Sequence, residues 1–170
     1  MKTVKIILGI VIALSLAFFA TGIIISELNY EAEVIIEKPV EEVFTIFNDD
    51  ESIKHWIPEI KSIKAVKELD GKVGSTYEIK VENQGEEITL NEKIKEFEVN
   101  KKITLFFNGG GMLKRDAYSF ESKGGQTVLK LQAKCKSSSF ILGCMLPFVK
   151  GKLQEQDQKY LMNFKKFAEK

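Results

Sequence analysis

From Tyr30 the chain alternates. Tyr30, Ala32, Val34 and Ile36 are apolar or aromatic, and Glu31, Glu33 and Glu37 stand among them. A period of two predicts a strand with one buried face. The period then changes. In "KPVEEVFTIF" Pro39 occupies a position that a first helical turn tolerates, and Val40, Val43, Phe44 and Phe47 form a stripe at helical spacing. Asn48-Asp49-Asp50 ends it. A second short helix is expected over Glu51 to Trp56, stopping before Pro58.

Beyond Ile60 the pattern predicts a succession of strands. "KSIKAVKEL" leads into the turn "DG", and "STYEIKVE" puts Tyr77, Ile79 and Val81 on one face. "NQG" makes the next turn. "EEITLNEKIKEFE" carries Ile88, Leu90 and Ile94 on one face, and "KKITLFF" is apolar on both. "NGGG" turns the chain into "MLKRDAYSFES", and "KGG" turns it into "QTVLKLQAKCK". Strands joined by such short turns make an antiparallel meander with one wet face. From about Phe140 helical spacing returns, with Val149, Leu153, Tyr160, Phe164 and Phe167 on one stripe. The stretch before it, "FILGCMLPF", is apolar all round and too short to span a bilayer. It reads as the helix's first turns or as an exposed apolar lip.

A different signal precedes all of this. Ile6 to Ile25 is 20 residues without a charge. As a helix it would reach about 30 Å, the thickness of a bilayer's hydrocarbon core. Its length favours a membrane anchor at 1–27, ahead of a domain at 28–170. A secretory signal cleaved after Gly22 or Ala17 is the alternative. Lys2 and Lys5 precede the run, and Glu27, Glu31 and Glu33 follow it. A single-pass protein with a cytoplasmic N-terminus and an extracytoplasmic domain is expected. "SELNY" reads as a short polar connector.

Composition changes the picture little. The chain has 170 residues, 44% of them hydrophobic and 29% charged, with a net charge of +1. Lysines interleave with glutamates, and Arg115 is the sole arginine. That is a solvated surface and gives no support to nucleic acid. Cys135 and Cys144 are too few for a disulfide framework. Export permits one bridge, but buried free thiols are the commoner fate in an apolar pattern.

The order is strand, two short helices, about six strands and one long helix. The sheet must cover its apolar face, and only the last helix is long enough. This order resembles the START-like superfamily, also called SRPBCC or polyketide cyclase/dehydrase-like. The carriers are "IEKPVEEVFTIF", the Trp56-x-Pro58 pair, "DGKVGSTYEI", "NEKIKEFE", "GGQTVLKL" and the closing helix, spread over residues 30–169. The resemblance implies an α+β helix-grip fold, in which a curved antiparallel sheet of six or seven strands wraps the C-terminal helix. It implies Trp56 as a packing residue at the cavity rim. It names no reaction, because this fold serves many hydrophobic molecules.

Candidate chemistry is sparse. His55, the only histidine, has no second ligand at metal-binding spacing and no nucleophile elbow beside it. No metal or cofactor is expected. Gly109 to Gly111 lead into a strand, so they read as a hairpin turn and not as a phosphate loop. Glu92 and Asp116 fall on faces that otherwise look inward, and Gln156 or Asp157 fills the gap between Leu153 and Tyr160. A carboxylate in an apolar interior would exchange protons near neutrality. The enzyme reading is therefore a cyclase- or dehydratase-like site using Glu92, Asp116 or Tyr118. One bulge would turn these groups outward. The favoured reading is a container for a small lipid- or polyketide-like ligand, lined by Trp56, Tyr77, Ile79, Phe107, Tyr118, Phe120, Leu131, Tyr160 and Phe164. A protein-interaction domain with a solid core is the third.

Overall fold

The computed structural model describes residues 2–25, 27–83 and 85–170. Ser26 of the expected connector and Gln84 of the expected "NQG" turn lie outside the described residues.

The chain opens with α1 (Lys2–Ile24), an exposed helix that buries none of its side chains. It is the one helix, among the described residues, long and apolar enough to cross a bilayer. Strand β1 (Leu28–Ile36) begins almost at once, so most of the expected connector is already strand. Alternate residues of β1 are buried from Leu28 to Ile36, as its period of two requires. Helix α2 (Val40–Phe47) follows Pro39 and buries Val40, Val43, Phe44 and Phe47. Helix α3 (Ile53–Trp56) is a single turn that buries Trp56.

Six further strands follow: β2 (Ile60–Lys67), β3 (Thr76–Asn83), β4 (Glu86–Glu98), β5 (Lys102–Gly109), β6 (Met112–Lys123) and β7 (Gln126–Ser137). They form one seven-stranded sheet in the order β1-β7-β6-β5-β4-β3-β2. Every neighbouring pair is antiparallel. Gly110 and Gly111 take positive φ of 58° and 77° in the β5–β6 hairpin. A side chain is strained there, and a Cβ on Gly111 would come within 2.7 Å of Leu142.

Helix α4 (Phe140–Ala168) closes the fold and lies mainly over β1 and β7. Its buried face is Cys144, Leu146, Asp157, Leu161, Phe164 and Ala168. The expected stripe lies on this side: Phe164 is buried, and Val149, Leu153, Tyr160 and Phe167 are half-buried and pack against the core along its flank. The apolar "FILGCMLPF" stretch is both things at once, the first turns of α4 and an exposed lip. Cys135 and Cys144 are buried free thiols. The architecture is the helix-grip fold that the resemblance implies.

Candidate functional site

Cross-strand partners in an antiparallel sheet point to the same face. The register therefore sorts the inner face into rows. One row runs Tyr77, Glu92, Phe107, Lys114, Cys135 and Leu28. The next runs Ile94, Leu105, Asp116, Ala133 and Tyr30. A third joins Phe97, Ile103, Tyr118, Leu131 and Ala32. Phe97 belongs to it because the β4–β5 register slips between Ile94 and Glu96. That bulge turns Phe97 inward, onto Phe44 at 5.6 Å between ring centroids.

The interior has two characters. Toward α2 and α3 it is aromatic and filled. Phe47 stands at its centre, 5.3 Å from Trp56, 4.8 Å from Tyr118, 5.3 Å from Phe120 and 5.3 Å from Phe164. Trp56 also meets Phe164 edge-on at 5.2 Å. Such tilted and edge-to-face pairs add to the area that the rings bury.

In the first two rows the interior is polar. Lys114 points in from β6, and Asp157 points down from α4. Lys114 Nζ donates to Asp157 Oδ2 at 2.7 Å and Oδ1 at 3.0 Å. It also pairs with Asp116 Oδ2 at 2.9 Å. Tyr30 Oη donates to Asp157 Oδ2 at 2.8 Å, and Cys135 Sγ lies 3.8 Å from Tyr30 Oη. Asp116 and Asp157 are buried, and Lys114 is nearly so. Burial works against the charge on Lys114, but Asp116 and Asp157 more than offset it and hold its proton well above the ordinary range. Burial pushes the Asp116 carboxyl up; Lys114 pulls it back in part, and the Asp157 charge adds to the rise.

One lysine thus serves two carboxylates, and the geometry leaves a remainder. Among the described residues, Asp116 Oδ1 is buried with no hydrogen-bond partner, and so is Trp56 Nε1. An unpaired buried polar atom costs about 1–3 kcal/mol. One cross-strand row away, Glu92 has its carboxyl pushed up to about 7 by burial, then by the charges of Asp50 and Asp116. Tyr118 is raised by burial, then by Asp116, so its hydroxyl stays a donor. Together these groups can accept from, donate to and charge-balance one polar end of a molecule whose remainder is apolar.

The expected lining divides accordingly. Trp56, Tyr118, Phe120, Leu131 and Phe164 are buried in or beside the aromatic knot. Tyr77 and Ile79 are buried on the inner face of β3, and Phe107 is half-buried beside Glu92. Tyr160 stands apart from the charged group, half-buried, and accepts from Gln156 Nε2 at 2.5 Å. Of Gln156 and Asp157 it is Asp157 that turns in, while Gln156 is exposed. His55 is exposed and stacks on Phe167 at 4.9 Å. Sequence reasoning passed over Lys114, Tyr30 and Cys135. The available signal was parity: Lys114 shares its face of β6 with Asp116 and Tyr118.

Comparison with known proteins agrees with this architecture. The family model described as Activator of Hsp90 ATPase homolog 1-like protein matches residues 37–146. No curated protein matches the chain by sequence. Among solved structures, the chain is similar to the Zhui aromatase/cyclase of Streptomyces sp. R1128, with a TM-score of 0.72 at 12% identity, over 84% of this chain and 94% of that one. A START superfamily protein of Mycobacterium smegmatis aligns with a TM-score of 0.65 at 20% identity, over 78% and 93%. A protein of Thermus thermophilus gives 0.69 at 19% identity, over 83% and 97%. At these identities the likeness is one of fold.

Proposed function

The chain belongs to the Activator of Hsp90 ATPase homolog 1-like protein family, and on that premise we propose that its START-like domain holds a small hydrophobic ligand with one polar end, at a membrane that α1 spans. The polar end would meet Asp116, with Glu92, Tyr118 and Lys114 around it. The apolar remainder would lie along Tyr77, Ile79 and Phe107. The observation that carries this reading is Asp116 Oδ1, a buried carboxylate oxygen without a partner among the described residues. Buried acceptors are rarely left so, and a ligand hydroxyl would supply the missing donor.

The anchor part of the reading draws on α1, with Lys2 and Lys5 ahead of its apolar run and Glu27, Glu31 and Glu33 behind. These flanks favour a cytoplasmic N-terminus and an extracytoplasmic domain. Secretion after cleavage of α1 is the competing arrangement.

The test is native mass spectrometry of the full chain released from detergent, with organic extraction of what co-purifies. A stoichiometric apolar adduct is the expected result. An apo mass that stays unchanged after a panel of fatty acids, phospholipids and aromatic polyketides would overturn the container reading.

A second reading has one observation in its favour. Burial pushes the Glu92 carboxyl up to about 7, on the same inner face as Tyr118 two rows away, and a general acid or base working on a carbonyl titrates there. The fold is also that of an aromatase/cyclase. This reading requires turnover that fails when Glu92 is replaced.

A further inference from the structure

The first turns of α4 are unlike the rest of that helix. Ten residues, Phe140 to Val149, carry no charge. Cys144 and Leu146 turn inward, but Phe140, Ile141, Leu142, Met145 and Phe148 are between 44% and 64% exposed. Ile141, Met145 and Phe148 stand at i, i+4 and i+7, one face of the helix. A helix resting on a water-soluble domain carries polar residues on that face.

This lip is packed against the end of α1. Phe18 stacks on Phe148 at 6.3 Å, and Phe19 stacks on Phe140 at 6.1 Å. Thr21 Oγ1 lies 3.1 Å from the Cys144 carbonyl oxygen. Gly22 lets the two backbones approach, since a Cβ there would overlap Cys144 Sγ. The contacts on α1 lie three to seven residues before Ile25, the end of its apolar run. At ~1.5 Å per residue that is about 5–10 Å below the level where the run ends. Interfacial helices bury their apolar faces by about the same depth, ~5–10 Å.

The charges mark the same level from both sides. On the α1–β1 side the first charge after the apolar run is Glu27, which pairs with Lys136 at 3.0 Å. On α4 the first charges are Lys150 and Lys152. Glu27 and Lys150 line one crevice of about 390 Å³ together with Ile25, Leu28 and Pro147. The two elements therefore pass from apolar to charged at one place in space. Lysine stems suit that boundary, with carbon in the lipid and the ammonium in water.

We propose that the first turns of α4 are embedded in the bilayer leaflet from which α1 emerges, so that the domain is docked on the membrane by two apolar elements and does not swing from one. The partner is the headgroup–acyl boundary of a lipid bilayer. The proposal rests on α1 spanning the membrane.

The native full chain tests it. Reconstituted into phosphatidylcholine/phosphatidylglycerol vesicles, it is labelled with a photoactivated carbene reagent that partitions into the acyl region, then mapped by mass spectrometry. Insertion is expected in α1 and in the tryptic peptide Ser137–Lys150, and not at Val66 or Val99, each 65% exposed elsewhere on the domain. The double variant I141E/F148E, which alters only exposed side chains, is expected to lose label from that peptide and keep it in α1. Label in α1 alone from the native chain overturns the docking and leaves the anchor standing. No label in α1 overturns the anchor reading, and the docking with it.

Discussion

Lys114 Nζ lies 2.7 Å from Asp157 Oδ2, and that contact ties the start of β6 to the buried face of α4. It is an ion pair out of water, so its worth depends on what remains when one partner goes. Lys114→Met leaves Asp116 and Asp157 buried with no cation. A loss of about 3–5 kcal/mol is expected, because breaking such a pair strands a charge. Replacing all three residues by apolar ones of similar volume should recover most of that loss. Denaturant unfolding of the two variants in detergent measures the difference.

Tyr30 gives a smaller, directional effect. Its hydroxyl donates to Asp157 at 2.8 Å, and Phe keeps the ring. Tyr30→Phe should cost about 1.5–3 kcal/mol, the range for a hydrogen bond to a charged group. The loss should nearly vanish in a background where Asp157 is already replaced by Leu. A double-mutant cycle of unfolding free energies reads that coupling.

Glu92 makes stability depend on pH with a definite sign. Its folded carboxyl titrates at about 7, against an ordinary value of 4.5. Below pH 4.5 it is neutral both folded and unfolded and contributes no pH dependence. Between 4.5 and 7 the folded protein holds a proton that the unfolded chain has released. Stability from this group therefore falls as pH rises through that window and is level above it. The fall is bounded at roughly 3 kcal/mol, at about 1.4 kcal/mol per pH unit. Melting temperatures across pH 4 to 8 should show this slope in the wild type. Glu92→Gln should lessen it, leaving the part that the raised Asp116 carboxyl contributes with the same sign.

Patterns with one answer were legible in the sequence. The β1 alternation and the α2 stripe each allow a single reading, the strand after Gly109 to Gly111 decides between a hairpin turn and a phosphate loop, and the order of elements then leaves one way to cover the sheet. The polar group was half legible. Asp116 announced itself as a carboxylate among inward apolar neighbours. Lys114 did not, because a lysine two residues before an aspartate looks the same on a wet face. Tyr30 read as one more apolar position of β1, and only the fold brings its hydroxyl 127 residues along the chain to Asp157. The inward Phe97 depends on a bulge that alternation cannot show.

Trp56 separates packing from ligand contact. It meets Phe47 and Phe164, so Trp56→Ala should cost about 3–5 kcal/mol. Trp56→Phe keeps a ring in place and removes an indole N–H that has no partner among the described residues. Its cost should be well below the alanine value. If a ligand accepts from that N–H, the same Trp56→Phe change should weaken binding severalfold while stability hardly moves. Calorimetric titration of both proteins with the extracted ligand checks this.

The container and enzyme readings part at Glu92 and Asp116. An acid or base acts by moving a proton, which Gln and Asn do not do. A binding group acts by accepting a hydrogen bond, which their amide oxygens still do. The paired variants Glu92→Gln and Asp116→Asn should therefore retain ligand with an affinity within about tenfold of wild type, since each neutral bond replaces a stronger one to a charge. An enzyme with the same variants would bind its substrate and lose turnover by about 10²–10⁴-fold, the usual contribution of a positioned acid or base. Trp56 is the only tryptophan in the chain and lies inside the domain, so a ligand that changes its surroundings would be followed by its emission without a label. Emission that reaches a stable end point with both proteins is the expected outcome and favours the container. Emission that drifts back as ligand is consumed by wild type, but not by the variants, would make the domain a catalyst.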